Sequence, residues 1–170
     1  MGIGKPVNEI DKVDLLFTGI GRGGGQGREN FVAEMDHKYG ARFKHIYKGV
    51  HQETLRDLIA ASRIVVAPDA PATDNYFSNR VYLTLGFGGF LLHPYCAELT
   101  KQYRDAEEIR FYHSRQHLHE LIAFYLPRPD VRQAIATAGL KRTLDEHMYY
   151  HRVKTLVEVV KRRLLNKDGD

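Results

Sequence analysis

The stretch "GIGRGGGQGREN", residues 19–30, combines what an anion site needs: a backbone that a phosphate can approach, and positive charge beside it. Glycine lacks the Cβ that would hold a phosphate off, and a helix starting near Arg28 turns free N–H groups toward the anion. Arg22 and Arg28 supply charge-assisted hydrogen bonds. A second stretch, "NYFSNRVYLTLGFGGFLLHPY", Asn75 to Tyr95, sets Asn75, Asn79 and Arg80 ahead of a helix stop at Gly88 and Gly89. A buried guanidinium without an anion or carboxylate is costly, so Arg80 calls for one or the other.

Other chemistries fit less well. Gly19, Gly21 and Gly24 satisfy G-x-G-x-x-G, but a dinucleotide site also wants an acid at the end of the second strand, and "YKG" at Tyr47 to Gly49 has none. His147 and His151 stand four apart, a ligand spacing, yet no third convergent ligand or metalloprotease glutamate accompanies them, and His117 and His119 point to different sides of a helix. No metal site and no cofactor are therefore assigned. Cys96, the only cysteine, reads as a packed small residue. Neither a Ser-His-Asp order nor a G-x-S-x-G elbow is present, and the catalytic residue stays unknown.

The elements that must position these residues alternate along the chain. "VDLLFT", Val13 to Thr18, is a continuous apolar run of the kind that forms a doubly covered strand. Phe31, Val32 and Met35 then recur at helical spacing up to a stop at Gly40. "RFKHIYKG" alternates as a less buried strand, Leu55, Leu58 and Ile59 share a helix face, and "RIVVAP" is another buried strand cut short by Pro68. Asp74 or Ser78 can cap a helix running to about Gly86, with Phe77, Val81 and Leu85 along its inner face. "FLLHPY" and "EIRFYHS" supply the fourth and fifth strands, with a short helix near Glu98 to Arg104 between them. From Arg115 onward the pattern is helical throughout, ending in a stripe of Val153, Leu156, Val157, Val160 and Leu164. The expected fold is α/β: a Rossmann-like open parallel sheet of about five strands, helices on both faces and a helical C-terminal tail. Residues 13–165 form its single domain, between a flexible N-terminal segment, 1–12, and a flexible tail, 166–170. Ligands of such sheets collect outside the carboxyl ends of the strands, at the turns after Thr18, Pro68 and Tyr95.

At 170 residues the chain is long enough to bury a core without metals or disulfides. No apolar run is long enough to span a membrane, and "MGIGKPVNEIDKVD" has neither a signal-peptide core nor transit-peptide character, which points to a cytoplasmic protein. The excess of 25 basic over 21 acidic residues suits an anionic ligand, but the basic run Lys161 to Arg163 is too short to imply nucleic acid. The basic end "VVKRRLLNK" allows at most peripheral contact with anionic lipid.

The segment "SNRVYLTLGFGGFLLHPY" and the closing "AGLKRTLDEHMYYHRV" resemble the carboxy-terminal half of GT-B glycosyltransferases, of the family 1/4-like, spore-maturation-protein type. The likeness runs in order over about Val13 to Val160, and the ending is similar to that family's A-G-x7-H-x4-R. It implies a lobe that holds a nucleotide-sugar donor, while an acceptor-binding lobe or subunit supplies the other side of the cleft. It also implies that Gly21, Arg22, Gly23 and Gly24, with Arg28, lie against the diphosphate, and that Asn75, Asn79, Arg80 and Tyr82 face the donor. Many relatives carry two acids eight positions apart here; this chain has Asn75 and Leu83 instead. Those replacements keep open a second reading, a non-catalytic Rossmann-like binding or interaction domain derived from such a lobe. A response-regulator-like domain shares the sheet but lacks the expected acids.

Overall fold

The computed structural model describes residues 13–19, 26–46, 51–68 and 76–165. The expectations for residues 1–12 and 166–170, for the glycines of 21–25 and for Asn75 lie outside these.

The element order is β1 (Val13–Thr18), α1 (Gln26–Tyr39), a single tight turn of helix at Gly40–Arg42, β2 (Phe43–Ile46), α2 (Gln52–Ala61), β3 (Ser62–Val66), α3 (Arg80–Gly86), β4 (Leu91–Pro94), α4 (Ala97–Thr100), β5 (Arg110–Tyr112), α5 (Arg115–Tyr125), α6 (Pro129–Glu146) and α7 (Tyr149–Leu165). All five strands pair in parallel in the order β2-β1-β3-β4-β5. The expected doubly covered parallel sheet is what the chain forms.

Period-two alternation divides the strands between two cores. Leu15, Phe17, Ile64, Val66 and Leu92 face one layer, where they meet Phe31 and Met35 of α1 and Leu118, Ile122 and Tyr125 of α5. Leu16, Val65, Leu91 and Phe111 face the other, against Leu58 and Ile59 of α2, Val81 and Leu85 of α3, and Leu99. Cys96 is buried in this second layer, as a packed residue. With both faces covered, the inner strands are buried along most of their length, which is why β1, the end of β3 and β4 read as apolar runs, whereas the edge strand β2 is only partly buried and Arg63 at the start of β3 is exposed.

Two helix starts have visible local causes. Ser114 caps α5 by accepting from the His117 N–H at 3.0 Å, and Pro129 opens α6, where its missing N–H costs nothing. At the end of α5, the buried Arg132 donates to the carbonyls of Tyr125 (2.5 Å) and Leu126 (2.7 Å), filling acceptors that the helix end leaves open.

α3 is shorter than the apolar spacing suggests. It begins at Arg80, after Ser78 Oγ accepts from the Arg80 N–H at 3.3 Å, and Asn79 makes no side-chain cap. Phe77 lies ahead of the helix yet packs on the same layer as Val81 and Leu85. An apolar residue preceding a helix can share its core, so spacing alone does not mark the first turn.

α6 ties the layers together at the β5 edge. Its Ile135 and Ala136 belong to the first core, whereas Gly139 lies against the Glu108 carbonyl and Leu85. Tyr103 and Thr143 share a buried hydrogen bond of 2.8 Å, and Thr143 Oγ1 donates to the Gly139 carbonyl at 2.8 Å. The ring of His147 packs on Tyr103 with centroids 4.9 Å apart.

Two tests follow from this joint. A Cβ at Gly139 would sit 2.3 Å from the Glu108 carbonyl oxygen, which is backbone and cannot yield, whereas one at Gly86 meets only Thr143 Cγ2 at 3.6 Å. Gly139→Ala is expected to lower unfolding free energy by about 2 kcal/mol or more, and Gly86→Ala to stay within about 0.5, in urea titrations. Burial also holds the His147 pKa below its ordinary value of 6.5, against the Gln102 carbonyl, which favours the charged form. The unfolded chain therefore takes up this proton first as pH falls, so His147 contributes stability that is complete above about pH 6.5 and is lost on acidification through the folded pKa. The stability difference between wild type and His147→Gln should shrink from about pH 7.5 to about pH 5.5 in the same titrations.

Candidate functional site

In a sheet ordered 2-1-3-4-5, chain connections leave β1 and β3 in opposite directions, and a crevice opens between their carboxyl ends. Gly19 stands on that rim directly after β1. Its N–H donates to the Ile46 carbonyl at 2.8 Å, and its own carbonyl accepts from His45 Nε2 at 2.8 Å. The His45 ring in turn stacks on Phe17, centroids 4.9 Å apart and nearly parallel at 6°. Two hydrogen bonds therefore hold Gly19, and the stacking on Phe17 holds the His45 ring that makes one of them.

Above Gly19 lies the guanidinium of Arg80, from the first residue of α3. A Cβ on residue 19 would fall 2.2 Å from Arg80 Nη1 and 3.0 Å from its Cζ. Glycine at this position is what lets the arginine reach back over the end of β1; the backbone φ of +154° is a further condition that a side chain seldom meets. Arg80 thus arrives at the switch point from the β3–β4 crossover.

A second arginine meets the chain on the other side of the glycine segment. Arg115, the first residue of α5, directs Nη2 at the Gly27 carbonyl (3.4 Å) in the first turn of α1, and its guanidinium lies 4.3 Å from the Phe31 ring centre. Arg115 Nη1 is shut off from solvent and has no hydrogen-bond partner among the described residues, nor has Arg115 an ion pair there. A buried cationic donor without a partner is costly, so the position favours an incoming anion. The first turn of α1, whose Arg28 is half-buried, adds the positive end of a 14-residue helix.

Beside these lies a groove of about 430 Å³ across the carboxyl ends of β3, β4 and β5, lined by Pro68, Pro94, Tyr95, Tyr112, His113, Ser114 and Arg115. The half-exposed Tyr95 stacks on His113 with centroids 5.0 Å apart, and His113 lies parallel to His117 at 5.7 Å. The result is a flat aromatic wall next to cationic groups, able to take a planar ring on one side and an anion on the other.

The residues singled out in the sequence are thus divided. Arg80 reaches the rim, and Arg28 stands in the first turn of α1. Asn79 and Tyr82 instead line a separate cavity of about 130 Å³ with Leu83, Phe87, Leu144 and Tyr149. The Tyr82 hydroxyl donates to Gln102 Oε1 at 2.6 Å, and its ring lies under Arg152, 4.1 Å from the guanidinium carbon. Gly21, Arg22, Gly23, Gly24 and Asn75 lie outside the described residues. Tyr95, His113 and Arg115 were not picked out from the sequence; the "HSR" that follows the fifth strand carries two of them, and the only signal was its place at a strand's carboxyl end.

Histidine pairs do not gather into a metal centre here. His147 Nε2 points at the Gln102 carbonyl (3.4 Å), His151 accepts from the Met148 N–H (3.2 Å), and His119 bridges Glu34 (2.6 Å) and the Tyr39 hydroxyl (2.8 Å). Among the described residues no three His, Cys, Asp or Glu side chains stand close enough to share an ion. Burial pushes the Tyr39 pKa up to about 12, so its hydroxyl keeps its proton beside His119. No helix of the described residues is long and apolar enough to cross a membrane.

No curated protein matches the chain. A model of the glycosyl transferase-like domain does match, over residues 26–158, from the start of α1 through α3, the β4–β5 rim and most of α7. With more than three quarters of its length inside that match, the chain belongs to the glycosyl transferase-like family, and glycosyl transfer is the chemistry its membership indicates.

Proposed function

We propose that this domain is the donor-binding half of a glycosyltransferase, holding a nucleoside-diphosphate sugar across the carboxyl rim of its sheet. The observation that carries this reading is the placement of one arginine at each end of the glycine segment, Arg80 on Gly19 and Arg115 on Gly27. A diphosphate placed between these two guanidinium groups would find cationic donors on both sides and the N-terminus of α1 beside it. The groove lined by Tyr95 and His113 then takes the base by stacking, which leaves the sugar over the β1–β3 crevice.

In glycosyl transfer an acceptor hydroxyl attacks the anomeric carbon, the bond from that carbon to the diphosphate breaks, and charge accumulates on the departing phosphate oxygens. Guanidinium groups fixed near that oxygen stabilise the developing charge more than the ground state, because their positions are set before reaction. Arg80 and Arg115 have this role. The base that takes the acceptor proton belongs to an acceptor-binding lobe or subunit, which would close over the rim and exclude water.

A second reading, a binding domain that has kept the fold without transfer activity, draws support from Leu83. Where relatives that this chain resembles carry a carboxylate for the ribose, Leu83 lines an apolar cavity with Phe87, Leu144 and Met148. The two readings separate on ligand binding.

Calorimetric titration with UDP, GDP, ADP and TDP is expected to give binding with at least one of them. Arg80→Gln should weaken it by about tenfold or more, the worth of one charged hydrogen bond. Gly19→Ala should weaken it comparably by displacing the guanidinium, at a stability cost of only about 1 kcal/mol for the backbone. If all four nucleotides fail to bind, the non-catalytic reading stands. Should one bind with Arg80→Gln and Gly19→Ala unaffected, the diphosphate lies elsewhere.

A further inference from the structure

α7 leaves its apolar face uncovered. Val153, Leu156, Val157, Val160 and Leu164 are each between 43 and 62 % exposed, and Tyr149 and Tyr150 at its start are more so. Both faces of the sheet are already clad by other helices, and among the described residues neither core takes up this stripe. Arg152 near the start of α7 covers Tyr82, and Thr155, Leu156 and Val159 line an open groove with Tyr82 and Gln102 of the body.

The arrangement of charge around the stripe says what it suits. At 100° per residue the apolar side chains from Leu156 through Val160, Val153 and Leu164 to Val157 span an arc of roughly a third of the helix. Lys154 and Lys161 border that arc on one side, and Arg152 and Arg163 on the other. Glu158, the only acid of α7, lies on the far side together with His151 and Arg162. Five of the chain's 25 basic residues and one of its 21 acidic residues are on α7; the remainder of the chain has 20 of each, so α7 holds the whole net charge of +4.

A face built to bury against a second copy of itself would bring these like charges together along both borders. An anionic surface instead pairs with both borders at once while the stripe enters the acyl boundary. Lys and Arg stems at the margins then extend to the headgroups, and the tyrosines occupy the interface. We infer that α7 is an interfacial helix that lays this domain on an anionic lipid surface. The inference stands apart from the donor site, since none of the stripe residues contributes to the rim.

The chain has no tryptophan, so Val157→Trp creates a single reporter on the stripe and Glu158→Trp one on the opposite face. With vesicles of mixed phosphatidylcholine and phosphatidylglycerol, the emission of Val157→Trp is expected to shift to the blue and to be quenched by brominated acyl chains. That of Glu158→Trp should stay unchanged, and pure phosphatidylcholine should move neither. In co-sedimentation with the same mixed vesicles, Lys154→Gln and Lys161→Gln should each weaken binding about fivefold. Val153→Asp with Val157→Asp should abolish it while leaving the unfolding midpoint unchanged. Failure of the wild-type chain to sediment with anionic vesicles overturns the inference. So does a blue shift of both reporters, or a concentration-dependent dimer that the aspartates dissociate.

Discussion

The candidate site depends on the absence of one methyl group. Residue 19 directly follows β1, an inner strand of the parallel sheet, and the space its side chain would fill is taken by the Arg80 guanidinium, 2.2 Å from where a Cβ would stand. This single exclusion lets a cation from the β3–β4 crossover sit over the end of β1. The Ile46 carbonyl and His45 anchor Gly19 from the β2 side, while α3 carries Arg80 from the β3 side. The two halves of the sheet thus meet at one contact on the crevice between them, where an open α/β sheet accommodates ligands.

Around this contact the energetics of charge set the design. Among the described residues, the groove at the carboxyl rim is lined by Arg115, the rings of Tyr95, Tyr112 and His113, two prolines and Ser114, with no carboxylate, and the cores beneath it are apolar on both faces. Acids with ordinary structural duties, such as Asp14 between Arg42 and Arg63 or Glu108 beside Arg104, are occupied elsewhere. A low-dielectric floor makes each positive group on the rim count for more toward a phosphate than it would in open water. Membership in the glycosyl transferase-like family and a rim of this character are mutually consistent.

Much of the fold could be read in advance because buried parallel strands write themselves as unbroken apolar runs. Val13 to Thr18 has the bounds that its composition suggested, and the carboxyl ends of β1 and β3 flank the point where the strand order reverses. The start of α3 could not be placed from spacing, since Phe77 packs on the core without being helical. The α7 stripe was visible as a periodicity, but a periodicity does not say what covers it; only the packing of the other helices leaves it exposed. Among the candidate site residues, Arg80 stood out in the sequence because burying a guanidinium would demand a reason, and in the structure it is partly buried against Gly19. Tyr95, His113 and Arg115 did not stand out, for they are at least 68 residues from Gly27 or Gly19 in the chain and reach the same rim only through the strand order. Tyr82, two residues beyond Arg80, turns to the opposite side of a helix whose rotation carries successive residues about 100° apart.

The guanidinium of Arg80 is the group to observe. Following its Nε–Hε resonance by nitrogen-edited NMR, assigned with Arg80→Lys, while a nucleoside diphosphate is added, reads the central contact without relying on turnover. A large saturable shift with the diphosphate and none with the corresponding nucleoside is the predicted result. A resonance that stays fixed while other signals report binding of the same nucleotide would contradict the account.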